Sequence, residues 1–131
     1  MVRLDVIGNR KSDIRRHANP APVVSNPATG GALGNLVSHP RMDGAWIGSI
    51  DISINKAFTL RAFDISTKDL AIHSQSDGQF LGIHVSEHGR VMVCAGGIPL
   101  KRDGKIVGAV GVSGGSGQQD HTVAVAGAQA F

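Results

Sequence analysis

The stretch Gly108-Ala109-Val110-Gly111-Val112-Ser113-Gly114-Gly115 places small and β-branched residues directly before a glycine-rich loop. Its first half favours a buried strand and its second half a tight turn. Ser116 and Gln119 follow, three residues apart. That spacing predicts a capping box, in which each side chain satisfies a backbone donor at a helix start. We therefore expect a strand that runs through a glycine turn into a terminal helix over residues 118–131.

A hairpin is predicted immediately upstream. Asp103-Gly104 is a two-residue pattern favoured in type I′ turns, because both positions of that turn need a positive φ. The pair separates the segments 99–102 and 105–112. We expect these two segments to pair as antiparallel strands.

Apolar residues in the middle of the chain recur at spacings of three and four, which predicts a helix with one buried face. The residues of this pattern are Ile47, Ile50, Ile54, Ala57 and Phe58, continued by Arg61. Ser49 is the predicted N-cap. Lys56 lies off the apolar face, so we expect a solvated surface lysine, with an electrostatic anchor as the alternative.

The other predicted elements are short. Residues 18–34 combine three prolines and three glycines, which predicts a loop. A strand over 35–39, a helix capped by Ser66 or Thr67, and strands over 80–85 and 91–95 complete the order. Strands joined by hairpins, with helices before and after them, imply an α+β class in which helices cover one face of an antiparallel sheet.

Composition predicts one compact domain. The chain has 131 residues, 41% of them hydrophobic, which is enough for one core and too few for two ordinary domains. Residues 1–28 hold five basic and two acidic residues and the remainder eight of each, so the net charge of +3 lies in that N-terminal segment. We expect a poorly ordered segment over residues 1–29 and the folded domain over residues 30–131.

Several partners and locations are disfavoured. Aromatic residues make up 4% of the chain, with no tyrosine and one tryptophan, which leaves few platforms for stacking nucleic-acid bases. No apolar stretch has the length needed to span a bilayer, and the first twenty residues lack the apolar centre of a secretory signal. We expect a cytoplasmic protein that binds neither nucleic acid nor membrane.

Cys94, the lone cysteine, lies in an apolar run and is predicted to be buried.

Two segments carry candidate ligand-binding residues. Ser113, Gly114 and Gly115 offer backbone N–H groups at a helix start, which suits a carboxylate or a phosphate; a tight turn without a ligand is the alternative. Arg41 and Asp43 precede the first predicted helix. There the guanidinium suits a ligand carboxylate and the aspartate suits a turn, with a salt bridge as the alternative.

The histidine pattern predicts no structural metal site. His84 and His88 are four residues apart but flank a predicted strand and turn, and neither H-E-x-x-H nor C-x-x-C occurs. A single His or Met near an apolar surface would still suffice as an axial haem ligand. No G-x-S-x-G elbow is present, so no motif supports assignment as an enzyme.

Four motifs in a fixed order carry a resemblance to a known family. They are Arg41-Met42-Asp43-Gly44-Ala45, the run from Ser49 to Thr59, Gly96-Gly97-Ile98-Pro99-Leu100, and the run from Gly108 to Gly115 followed by Gln119-Asp120. The series resembles the GlcG/HbpS-like family, which includes the C-terminal domain of PduO-type proteins, over residues 30–131. The resemblance implies a profilin-like fold, self-association into homo-oligomers and, in some members, haem binding.

The resemblance also implies site residues. In the haem-binding branch, the threonine that ends the Lys-Ala-Phe-Thr motif contacts iron, which implies Thr59 here. The iron-binding E-x-x-E motif of that branch is absent, because Glu87 is the only glutamate. The candidate ligand-binding residues are thus Arg41, Asp43, Lys56, Thr59, Ser113, Gly114 and Gly115.

Three functions follow as hypotheses. The leading one is a non-enzymatic protein that binds or sequesters haem or a related tetrapyrrole. The second is an enzyme or accessory protein of glycolate, glycerol or diol utilisation, which grips a small carboxylate through Arg41 and the Ser113 loop. The third is an oligomeric scaffold without a ligand.

Overall fold

The computed structural model describes residues 23–28 and 32–131. Within these residues, the sheet has four antiparallel strands in the order β2-β1-β4-β3. The strands are β1 (Val23–Ala28), β2 (Ala32–Ser38), β3 (Gly97–Arg102) and β4 (Lys105–Gly111). The helices are α1 (Gly48–Phe63), α2 (Thr67–His73), α3 (Ser86–Gly89) and α4 (Gly117–Gln129), with a 3₁₀ turn at Ile83–Val85. The predicted α+β class is confirmed. Within the described residues, no helix has the length and apolar character needed to cross a membrane.

The predicted β3–β4 hairpin is confirmed. Asp103 and Gly104 have φ angles of 50° and 75°, so both lie in the left-handed region that a type I′ turn requires. The pairing closes at the turn with Arg102 opposite Lys105. Two predicted helix starts are also confirmed: Ser66 caps α2, and the Ser116 capping box begins α4.

Strand β1 lies in the stretch predicted as a loop, and that prediction is wrong. Its first residues pair with β4, with Val23 opposite Gly111. Pro27 falls where the pairing between β1 and β2 is irregular. A proline cannot donate to a strand ladder and is tolerated at such an interruption. Apart from β1, the expected poorly ordered segment over residues 1–29 lies outside the described residues.

The segments predicted as strands over 80–85 and 91–95 are not strands. Gly82, Glu87 and His88 have φ angles of 84°, 52° and 59°, which turn the backbone away from an extended path. The second segment bonds to a helix instead of to a strand. The N–H of Met92 donates to the Thr59 hydroxyl of α1 at 2.8 Å.

The predicted buried face of helix α1 is confirmed at Ala57 and Ile54, which lie in or against the core, but not at its first residue. Ile47 is 81% exposed and occupies the N-cap position, whereas Ser49, the predicted cap, is buried inside the helix. The buried residues are mostly small or polar: Ser49, Ser53, Asn55, Lys56, Ala57, Thr59 and Leu60. The cause is the close approach of α1 to β4, because a Cβ on Gly111 would lie 2.0 Å from the carbonyl oxygen of Ser53. Large apolar side chains do not fit in that contact.

The core lies on both faces of the sheet. Ala109 packs against Ala57 and Leu60 of α1, whereas the next residue, Val110, is in the cluster that contains Ala124 of α4. Neighbouring strand residues point to opposite faces. Helices α1 and α4 therefore cover opposite faces, and the expectation that helices cover only one face is wrong.

Candidate functional site

A buried ion pair joins α1 to α4. Lys56 Nζ lies 2.8 Å from Asp120 Oδ2, and the two side chains are 2% and 4% exposed. The same ammonium donates to the carbonyl oxygen of Val112 at 2.8 Å. The prediction that Lys56 is a solvated surface residue is wrong.

Glycines at the start of β3 provide the space that the Lys56 side chain occupies. A Cβ on Gly96 would lie 2.9 Å from Lys56 Nζ and 2.6 Å from the Val112 carbonyl oxygen. Gly96 also has a φ of 122°, which L side chains rarely adopt. The next residue, Gly97, donates its N–H to the buried Thr67 hydroxyl at 2.8 Å. The Lys56 side chain can therefore extend past Gly96 to Asp120, because Gly96 has no side chain to occupy that space.

The glycine-rich loop forms a turn whose donors bond within the chain. Ser113 is buried, and Gly114 has a φ of 142°. The N–H of Gly115 donates to Asp120 Oδ1 at 2.9 Å, and the N–H of Ser116 donates to the Gln119 side chain at 2.8 Å. This geometry corresponds to the tight-turn alternative. An anion site at the loop remains a prediction.

The role of Asp120 was not predicted. One carboxylate oxygen accepts from Lys56 and the other from Gly115, so this residue connects the predicted lysine with the predicted loop. Lys56 and Asp120 lie 64 positions apart, and no periodic pattern relates them. The one available signal was an aspartate in the first turn of a helix that packs on a sheet. A carboxylate buried there needs a cation or several hydrogen-bond donors, so this position could have indicated a buried partner.

Cys94 is exposed, so the prediction of a buried residue is wrong. Because residues 91–95 do not form the predicted strand, Cys94 is not part of the sheet. Partial burial of the thiol nonetheless raises the pKa of Cys94. The Lys56 charge opposes that rise and the Asp120 charge adds to it. The neutral thiol is therefore favoured, and a neutral thiol is a poor nucleophile.

The Thr59 side chain is fully buried, with its hydroxyl engaged on both sides. It donates to the carbonyl oxygen of Asn55 at 2.7 Å and accepts from the N–H of Met92 at 2.8 Å. The carbonyl oxygen of Arg90 lies 3.3 Å away. An iron contact at Thr59 stays a prediction, and it would require the segment 90–92 to move aside.

Arg90 holds that covering segment against α1. Its guanidinium lies 3.7 Å from the centre of the Phe58 ring, and its Nε donates to Asn55 Oδ1 at 3.1 Å. A cation over an aromatic face is attracted by the ring quadrupole. The cover over Thr59 thus has side-chain contacts as well as backbone bonds.

Arg41 and Asp43 are exposed and lie ahead of α1. Arg41 Nη2 donates to the carbonyl oxygen of Ala45 at 2.5 Å, and no ion pair joins Arg41 to Asp43 among the described residues. The mutual salt bridge considered as an alternative is therefore not formed. A role for either residue in binding a carboxylate remains a prediction.

Several histidines that could each bind the metal of a cofactor are exposed within residues 73–88. The described residues contain no group of three or more His, Cys, Asp or Glu that could hold a metal ion. A haem needs only one axial donor beside an apolar surface. His73, His84 and His88 are exposed, whereas His39 and His121 are partly buried.

One family model matches most of the chain. The family described as haem degrading protein HbpS-like matches residues 27–129. An uncharacterized 15.0 kDa protein in the dhaT-dhaS intergenic region of Citrobacter freundii is 37% identical over 91 residues, which cover 70% of this chain and 64% of that protein. The corrinoid adenosyltransferase PduO of Salmonella typhimurium is 34% identical over 84 residues, covering 64% of this chain. The chain spans only 25% of that enzyme.

Solved structures agree with the fold. The Klebsiella pneumoniae protein ORFY superposes with a TM-score of 0.80 at 26% identity, over 98% of this chain and 88% of that one. A PduOC:heme complex superposes with a TM-score of 0.78 at 28% identity, over 87% of this chain and 79% of that one. The fold is therefore one that occurs in a haem complex.

Proposed function

Because the chain belongs to the HbpS-like family, we propose that it binds haem or a related tetrapyrrole and holds or sequesters it without catalysing a reaction. The observation that carries the proposal is the likeness of the whole fold to a PduOC structure in complex with haem. Haem supplies an iron centre that accepts an axial donor and a flat apolar ring that needs a cover. The residues of this chain would bind and orient that ring.

The exposed residues fit such a ligand. Three imidazoles are accessible, and large apolar side chains lie exposed in the same part of the chain, among them Phe80, Leu81 and Val85. Thr59 would join them as an iron contact only after the segment 90–92 is displaced. With that segment in place, the exposed imidazoles are the accessible side chains that would hold the iron.

A non-catalytic role is supported by the state of three reactive side chains, Lys56, Asp120 and Cys94. The Lys56 ammonium and the Asp120 carboxylate neutralise each other in the interior, so neither is presented to a substrate. The raised pKa of Cys94 keeps its thiol neutral. General acid–base or nucleophilic catalysis needs such groups within reach of the reacting atoms.

The second hypothesis, a site for a small carboxylate, has less support. Arg41 donates to the Ala45 carbonyl oxygen ahead of α1. The N–H groups of Gly115 and Ser116 donate to the side chains of Asp120 and Gln119 in α4. Among the described residues, no hydrogen bond joins Arg41 to the Ser113 loop. Thermal melting with hemin, glycolate and glycerol in parallel separates the two functions, since only hemin is expected to raise the Tm.

We further propose that the chain self-associates. Trp46 and Ile47 are 70% and 81% exposed beside the start of α1, and Leu36 and Val37 are exposed on the edge strand β2. Exposed apolar patches and unpaired strand edges commonly mark interfaces. This surface is the candidate interface of a homo-oligomer.

Titration of the purified protein with hemin tests the proposed function. We expect a saturable shift of the Soret band. The Thr59→Ala and Thr59→Ser variants form a matched pair, because serine keeps the hydroxyl. Loss of binding in the alanine variant alone would identify Thr59 as the iron contact. A Soret response that rises linearly without saturation in the unaltered protein would exclude specific binding.

A further inference from the structure

Exposed imidazoles and exposed apolar side chains occur together in one short stretch of the chain, residues 72–88. Of the five histidines whose side chains are described, three are exposed, and all three lie within residues 73–88. Large apolar side chains in the same region are 39% to 71% exposed. We define the imidazole strip as Ile72, His73, Phe80, Leu81, His84 and Val85.

A backbone bond and a ring contact bring two members of this strip, His73 and Phe80, together. The N–H of Phe80 donates to the carbonyl oxygen of His73 at 2.9 Å, and their rings meet edge-on with centres 6.1 Å apart. Gly78 makes the reversal possible, because a Cβ there would lie 2.1 Å from the same carbonyl oxygen. The N–H of Ile83 then donates to the carbonyl oxygen of Phe80 at 3.0 Å. The end of α2 is therefore adjacent to Phe80, which in turn bonds to the first residue of the 3₁₀ turn.

The composition of the strip is unusual for a surface that meets only water. Ile72 and Leu81 are each 64% exposed and Val85 is 71% exposed. Clustered apolar side chains at a surface mark a site for an apolar partner. Imidazole nitrogen is a common axial ligand of haem iron. A flat apolar ring with a metal at its centre matches both features, and Lys68, one helical turn before Ile72, offers a cation for a ring carboxylate.

His84 is the best-placed donor on the strip. The ring of His73 already packs against Phe80, and His88 lies beyond the apolar side chains in a left-handed part of α3. His84 lies between Leu81 and Val85 in the chain, two of the most exposed apolar residues of the strip. An iron bound there would have apolar cover beside it.

We propose that the imidazole strip is the haem-docking surface and that His84 supplies the axial nitrogen to the iron. The inference rests on the proposed function, since it names the residues that hold the tetrapyrrole. It differs from an iron contact at Thr59, whose hydroxyl is buried and engaged. No movement of the segment 90–92 is needed.

Hemin titrations of His84→Ala, with His39→Ala as a control outside the strip, test the proposal. We expect His84→Ala to weaken binding at least tenfold and to change the visible spectrum of the ferric complex, while His39→Ala binds as the unaltered protein does. His84→Met should bind with a spectrum that reports a thioether ligand. Leu81→Ser should weaken binding about fivefold without changing the spectrum, because it removes apolar cover and leaves the donor.

The outcomes separate the two proposals. If the unaltered protein fails to bind hemin saturably, the proposed function is excluded. If it binds and His84→Ala has unchanged affinity and spectrum, the proposed function stands and the strip assignment is overturned. Loss of binding in Thr59→Ala, His73→Ala or His88→Ala, with His84→Ala unaffected, also overturns the assignment. Circular dichroism confirms that each variant folds, and all of the strip substitutions lie at exposed positions.

Discussion

At the scale of single residues, the buried Lys56–Asp120 pair joins the helices on the two faces of the sheet. Removing a charge from water costs several kcal/mol, and only well-placed partners offset that cost. Lys56 has two oxygen acceptors, Asp120 Oδ2 and the Val112 carbonyl, and Asp120 also accepts from Gly115. The pair thereby connects α1, the end of β4 and the start of α4.

Lys56→Met is expected to lower the free energy of unfolding by about 3 to 5 kcal/mol, because it leaves Asp120 buried without its cation. Urea denaturation measures the change. Lys68→Met is the matched control, since Lys68 is exposed on α2 and its loss should cost under about 1 kcal/mol. Equal effects of the two substitutions would contradict the buried pair.

Cys94 gives a prediction for pH dependence. Because burial raises the pKa of the thiol, the thiolate fraction at a given pH is smaller than for an ordinary cysteine, and alkylation by iodoacetamide should be slower. The rate should rise with pH through a midpoint above that of the same thiol in the urea-denatured chain. A folded-state midpoint at or below the denatured one would show that the local charges, and not burial, dominate.

At the scale of elements, the distance between α1 and β4 decides which residues face the sheet. Gly111 permits backbone contact, since a Cβ there would lie 2.0 Å from the Ser53 carbonyl oxygen and 2.7 Å from the Ala57 nitrogen. Helix and strand backbones lie so close that serine and alanine fill the interface. The apolar residue Ile47 is left outside.

Gly111→Ala should destabilise the protein by about 3 kcal/mol or more, because the new methyl group forces α1 away from the sheet. Gly127→Ala is the matched control on α4. Its Cβ would meet Val110 at 3.7 Å, an ordinary contact, so helix propensity should stabilise the protein by about 0.5 to 1 kcal/mol. Thermal melting of the two variants should give shifts of opposite sign, and a neutral Gly111→Ala would refute the close approach.

Local chemistry predicted some elements and not others. The Asp103-Gly104 turn and the Ser116 capping box need only neighbouring residues, and both form as expected. The segment 91–95 has the β-branched pattern of a buried strand, yet the left-handed residues before it direct its backbone to Thr59. Which residues of α1 are buried depends on Gly111, which lies in a strand distant in sequence. Such a non-local contact produces no periodic pattern in the sequence.

At the scale of the whole molecule, the helices lie on both faces of the sheet and meet through the ion pair at its end. Lys56 and the Ser113 loop were both predicted as site residues from the sequence, whereas Asp120, which bonds to both, was named only as part of a family motif. Its partner is 64 positions away, so only the folded chain relates the two. The strip that includes His84 was equally hidden, because residues 80–85 were predicted to be a strand.

The exposed surface beside α1 predicts how the molecule assembles. Ile47→Asp should shift the protein towards the monomer, since it places a charge on an apolar surface that self-association would bury. Size-exclusion chromatography with light scattering measures the mass. Val85→Asp is the control, because that residue is similarly exposed but lies on the imidazole strip. An Ile47→Asp variant with the same mass as the unaltered protein would place the interface elsewhere.

The central claim is that this chain binds haem at a specific site. Hemin titration monitored by the Soret band and by quenching of Trp46, the single tryptophan, tests it in one experiment. The account predicts that both signals saturate together at one hemin per chain and that iron-free protoporphyrin binds at least tenfold more weakly, because it lacks the axial bond. Signals that fail to saturate, or equal affinity for the iron-free ring, would contradict it.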